Sequence, residues 1–162
     1  MLLIAFTLFH TALSLVGIGA GFVVMYEMLS SKPTGRWTGI FLWSTVATSV
    51  TGFFFPVREF LPSHAVGIIS LIVLTFALLA RYRHHLSGGW RRTYVITSVV
   101  ALYLNFFVLI VQLFRRVPPL REIAPTQSEP PFQIAQLVAL ILFAVLGFRA
   151  AIRFRDELPR RA

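Results

Sequence analysis

Apolar residues in this chain do not alternate with polar ones. They gather into five long runs, about 2–29, 37–55, 64–80, 93–114 and 132–152, separated by short polar stretches. A helix needs about 20 apolar residues to cross a hydrocarbon core roughly 30 Å thick, and each run is near or beyond that length. Strands of a membrane barrel would alternate over segments of about ten residues instead. The pattern predicts an all-α polytopic membrane bundle of five transmembrane helices, forming a single domain over 1–162.

The punctuation agrees with helices. Pro56 ends the second run. Pro62-Ser63 offers a serine N-cap before the third, and Ser128 with Pro130-Pro131 offers another before the fifth. Ser87-Gly88-Gly89 breaks the chain between the third and fourth. The first run has no basic residue before it and no small-residue cleavage pattern behind a short core, so it reads as a retained span. No internal repeat divides the chain into equal halves, so an inverted-repeat transporter is not supported.

Composition strengthens the membrane reading. The chain is 57% hydrophobic and 13% charged, with a mean hydropathy of +0.78, whereas soluble domains carry about 25% charged residues. The net charge of +9 does not imply nucleic acid, because the charges sit at the ends of apolar runs and not along one polar face. They set orientation instead. With five spans, eleven of the fifteen basic residues fall on one side: Lys32, Arg36, Arg81, Arg83, Arg91, Arg92, Arg149, Arg153, Arg155, Arg160 and Arg161. Arg58, Arg115, Arg116 and Arg121 fall on the other. Positive loops stay in the cytoplasm, so the N-terminus is expected outside and the C-terminus inside. A compact chain with no organelle address points to a bacterial inner membrane. Arg81, Arg83, Arg91 and Arg92 then serve as a topological anchor and a contact for anionic lipid headgroups, with Trp37, Tyr82 and Trp90 at the same boundary.

Faces of the helices show where packing is expected. Gly17 and Gly21 form a small-xxx-small pair suited to close approach within the monomer. Ser44, Thr45, Thr48, Ser49 and Thr51 can bond back to carbonyls one turn earlier. Gln136, Leu140, Ala144, Gly147 and Ala151 are expected to form the packing face of the fifth span.

Polar side chains inside a bilayer are costly, and each is a functional candidate. His10, His64, Gln112, Gln133 and Gln136 gather toward the outer leaflet when the spans are threaded, and His10, His64, Asn105, Gln112 and Gln136 are expected to line a pocket there. The loop 115–131 above them holds five of the nine prolines and is long enough to act as a lid or a rigid connector. Apolar surroundings with a histidine and amides suit a small lipophilic ligand such as a quinone. His10 and His64 also raise a bis-histidine haem, although neither has an obvious carboxylate behind it. A third alternative is a scaffold subunit of a larger membrane complex or a homo-oligomer. Glu27, near the inner surface, is placed to pair with Lys32 or Arg36. His84-His85 point in different directions and have no acidic neighbour. The chain has no cysteine and no Ser-His-Asp set, paired carboxylates, HExxH, P-loop or GxGxxG, so no enzyme is predicted.

The stretches Pro62–Leu71, Ala101–Asn105 and Ala124–Phe132 resemble those of a group of small bacterial multi-pass membrane proteins with no assigned activity. The resemblance implies an inner-membrane protein and carries no site residues. The length and five-span layout are also similar to the tryptophan-rich sensory/translocator proteins, but none of the three tryptophans here adjoins a proline, as that family's Trp-Pro segments require.

Overall fold

A computed structural model describes residues 1–33, 35–56 and 62–154, without the side chains of Pro62 and Ser63. The described residues form six α-helices and no strand. These are α1 (Leu2–Leu29), α2 (Arg36–Gly52), α3 (Pro62–Leu78), α4 (Trp90–Arg116), α5 (Pro118–Ile123) and α6 (Pro130–Arg153). A π-helical turn, Leu79–Arg83, carries α3 further. Four helical segments are long and apolar enough to cross a membrane: Leu2–Leu29, His64–Arg83, Trp90–Arg116 and Pro130–Arg153. The second apolar run forms a shorter helix. α2 has 17 residues and α1 has 28, which at 1.5 Å per residue makes them about 25 Å and 42 Å long.

Contacts between helices define two ends of the bundle. At one end the Ser31 hydroxyl donates to the Arg153 carbonyl over 2.7 Å, and Thr38 Oγ1 lies 3.2 Å from the Tyr94 hydroxyl. The ends of α1 and α6 therefore meet there, as do the starts of α2 and α4. At the other end His10 of α1 meets Thr51 at the close of α2. Gln136 of α6 meets the Phe107 carbonyl of α4 on that half as well. α2 lies between α1 and α3, and α4 touches α1, α2, α3 and α6.

The largest apolar cluster includes Met28, Phe41, Leu42, Leu74, Ala77, Tyr94, Leu102 and Phe154, all nearly inaccessible. In lipid these contacts gain little from leaving water, and interlocking shape has to hold them. Gly21 shows how tight the fit is. A Cβ there would stand 2.5 Å from Leu102 Cδ1 and 3.0 Å from the Phe41 ring. The small-xxx-small pair thus packs inside the monomer.

Several local expectations are corrected. α3 starts at Pro62, one residue before the serine expected to cap it, and proline suits the first helical position. Glu129, not Ser128, is the N-cap residue of α6. The Ser128 carbonyl instead accepts from Gln133 Nε2. Glu27 pairs with neither Lys32 nor Arg36: its Oε2 is buried without a hydrogen-bond partner, while Lys32 Nζ sits over the Tyr26 ring at 5.1 Å. The inner face of α6 runs through Ala139, Phe143 and Ala150, with Gly147 against Val99. Leu140 and Ala144, placed on that face by the sequence reading, are exposed. Arg58, Arg155, Arg160 and Arg161 lie outside the described residues.

The break at 84–89 is built with care. The His84 amide donates to the Leu79 carbonyl and the Leu86 amide to Ala80. His85, Leu86 and Gly88 take positive φ values of 46°, 56° and 51°, which reverses the chain and tucks Leu86 inward. His84 stacks on Trp90 at 3.8 Å with 3° between the rings.

Candidate functional site: a polar seam ending in a notch

α1 carries a stripe of residues at 7, 10, 14, 17, 21, 24 and 28, a spacing of three and four that keeps one helix face toward its neighbours. The lower part of this stripe, Gly21, Val24 and Met28, is buried in the apolar cluster. The upper part is polar. Ser14 donates to Asn105 Oδ1 over 2.8 Å. Gly17 lets three polar atoms converge: its Cβ position is 3.0 Å from Ser44 Oγ, 3.1 Å from Thr45 Oγ1 and 3.3 Å from Asn105 Nδ2. Ser44 and Thr45 return their protons to carbonyls one turn back, as the hydroxyl pattern of the second run predicts. Asn105 is buried, and its Nδ2 has no hydrogen-bond partner.

One turn above Ser14, His10 Nδ1 lies 2.8 Å from Thr51 Oγ1. Thr51 sits one residue before the end of α2, and there the two helices part company. α2 stops, while Leu2–Phe9 of α1 continue for eight residues, about 12 Å beyond. The overhang leaves an open apolar hollow of about 540 Å³, lined by Leu2, Leu3, Ala5, Phe6, Phe9 and Phe54. Phe55 joins the hollow to the seam. Its ring packs on Phe6 at 4.9 Å and stands edge-on to His10 at 5.1 Å. Aromatic pairs prefer such tilted contacts.

Of the five residues singled out by sequence, His10 and Asn105 share this seam. His64 is on the other flank of α2, buried and stacked on Phe53 at 5.7 Å. The two histidines considered as haem ligands come from α1 and α3, which pack on α2, and they meet different residues there, Thr51 and Phe53. Gln136 faces α4, donating to the Phe107 carbonyl over 3.3 Å and leaving Oε1 unpartnered. Gln112 accepts from Arg116 Nε at 3.1 Å. Among the described residues no three His, Cys, Asp or Glu side chains form a metal-binding group.

The proline-rich connector is docked to α4 and α6. α5 and the turn after it put Leu120 and Ala124 against Ile110, Phe114, Phe132 and Ala139, and Gln127 Nε2 donates to the Val111 carbonyl over 2.9 Å. Its tightest feature is Glu129. Desolvation pushes that carboxyl up. Hydrogen bonds from the Thr126 hydroxyl and from the amides of Thr126, Glu129 and Ser128 outweigh this and hold it below its ordinary value of 4.5.

No known family model, curated protein or solved structure matches this chain. The site is defined by its own geometry. The residues that sequence reasoning passed over are Ser14, Phe6, Phe54 and Phe55, together with Thr51 as the partner of His10. Ser14 was recoverable from the heptad-like stripe on α1. The phenylalanines were not, since 16 of them are spread along the chain.

Proposed function

We propose that this protein crosses a bacterial inner membrane five times, N-terminus outside, and holds a small lipophilic ligand of quinone-like size in the notch at the outer leaflet. Support for α2 as a fifth crossing comes from its two ends, which meet the start of α4 and the start of α1. Support for the orientation is the eleven-to-four division of basic residues. The basic end, with Arg81, Arg83, Arg91 and Arg92, meets anionic headgroups.

One observation carries the ligand proposal. His10 follows Phe9 of the hollow and shares the Phe55 ring with Phe6, and its side chain has a single hydrogen bond among the described residues, at Nδ1. Ligand sites are mostly apolar, with a few fixed polar groups that set orientation. The test is thermal unfolding of the protein in nanodiscs with a short-chain benzoquinone/benzoquinol pair. Stabilisation by at least one form of the pair is expected in the wild type and in His64→Phe, and is expected to vanish in His10→Phe. Equal stabilisation of wild type and His10→Phe would refute the notch as the site.

A further inference from the structure

Building on that notch assignment, we infer that the ligand binds as a hydrogen-bond donor, a phenol- or quinol-type hydroxyl giving its proton to His10 Nε2. A hydroxyl has one proton. The Thr51 hydroxyl spends its own inside α2, 2.7 Å from the Ala47 carbonyl and 3.2 Å from that of Thr48. With its proton so placed, its oxygen offers lone pairs to His10, and at 2.8 Å the imidazole is the donor. A neutral imidazole has one N–H. With that proton fixed on Nδ1, Nε2 keeps an in-plane lone pair.

Nothing in the described chain answers that lone pair. An acceptor in hydrocarbon has no water to turn to, so the arrangement selects for an incoming O–H. A quinone presents carbonyl oxygens and would set acceptor against acceptor. Its reduced form presents hydroxyls and completes the row Ala47 carbonyl, Thr51 hydroxyl, imidazole, ligand hydroxyl. The ligand hydroxyl, the imidazole N–H and the Thr51 hydroxyl each donate one step further along, and the Ala47 carbonyl accepts at the end of the row. The Phe55 ring, 5.1 Å away and 88° to the imidazole, restricts the rotation of the His10 ring.

Three probes in nanodiscs test this: a short-chain benzoquinol, its quinone, and the quinol's dimethyl ether, which keeps the shape and cannot donate. The quinol is expected to bind at least about tenfold more tightly than either of the others, the ratio expected when a buried hydrogen bond is lost. Nitrogen-15 NMR of histidine-labelled protein is expected to show His10 protonated at Nδ1 and bare at Nε2. Thr51→Val removes the acceptor that fixes the tautomer and is expected to bring quinol and quinone toward parity. If binding depends on His10 but the quinone or the ether binds as well as the quinol, the donor inference fails and the notch assignment stands. A bare Nδ1, or an imidazole protonated at both nitrogens, also overturns it, and needs no variant to fold. Binding of all three probes that is indifferent to His10→Phe overturns the notch assignment itself.

Discussion

The two ends of this bundle are held together by different means. Toward the 30–36 and 84–89 turns, side chains interlock: Phe41, Leu42, Leu74, Tyr94, Leu102 and Phe154 are at most 1% exposed. Toward the start of α1, discrete polar and ring contacts join the helices: His10 to Thr51, Ser49 to Ser70 over 3.1 Å, and His64 to Phe53. Beyond His10, at the start of α1, Leu2, Ile4, Leu8 and Phe9 stand more than half exposed. Interlocked side chains resist displacement and leave no room. Point contacts fix relative positions without filling space. The fold thus separates an interlocked end from a loosely filled one.

Substitutions that act on one end only can break this contrast. The largest effect is expected for Phe41→Ala, about 3–5 kcal/mol of lost stability by analogy with other core phenylalanines, read as unfolding in detergent. A cost below 1 kcal/mol would mean that the interlocked end is not what secures the bundle. A smaller effect separates Gly21→Ala from Asn105→Ala on neighbouring levels of the seam. The new methyl at Gly21 meets Leu102 Cδ1 at 2.5 Å, and such overpacking costs about 1–3 kcal/mol. Asn105→Ala gives up one hydrogen bond from Ser14, and polar contacts between membrane helices average about 0.6 kcal/mol. The reverse ranking would place the energy in the polar seam. The smallest effect is confined to the connector. Because the folded Glu129 carboxyl titrates below its ordinary 4.5, its contribution is complete above that pH and is lost as pH falls through the folded value. The protection of amides in 124–131, measured against the intrinsic exchange rate at each pH, is expected to fall on acidification while that of α4 holds, and Glu129→Gln is expected to abolish that change in protection.

Apolar run length was enough to reveal the helices, because a hydrocarbon core demands length and little else. α1 matches its run end to end. The Gly17 and Gly21 pair was also legible, since only small residues allow that approach. Depth in the bilayer could be counted from the loops, and it led to His10, His64, Asn105, Gln112 and Gln136 being grouped. Position around the bundle could not be counted. It depends on which helix lies beside which: His10 of α1 meets Thr51, and His64 of α3 meets Phe53. The N-cap of α6 was misassigned because Thr126, Ser128 and Glu129 bond to one another within the turn, a competition that side-chain type alone does not resolve.

Under the proposed five-span, notch-binding reading, the unequal lengths of α1 and α2 make the surrounding lipid part of the site. Hydrophobic mismatch costs a fraction of a kcal/mol per Å, and helices and lipids adjust to each other to relieve it. A bilayer thinned to suit α2 leaves the first two turns of α1 among headgroups, with the hollow open to water. One thick enough to bathe all of α1 sinks the same hollow into acyl chains. Acyl-chain length and bilayer thickness thus become variables of occupancy, set by the membrane in which the protein resides and not by any residue of its own.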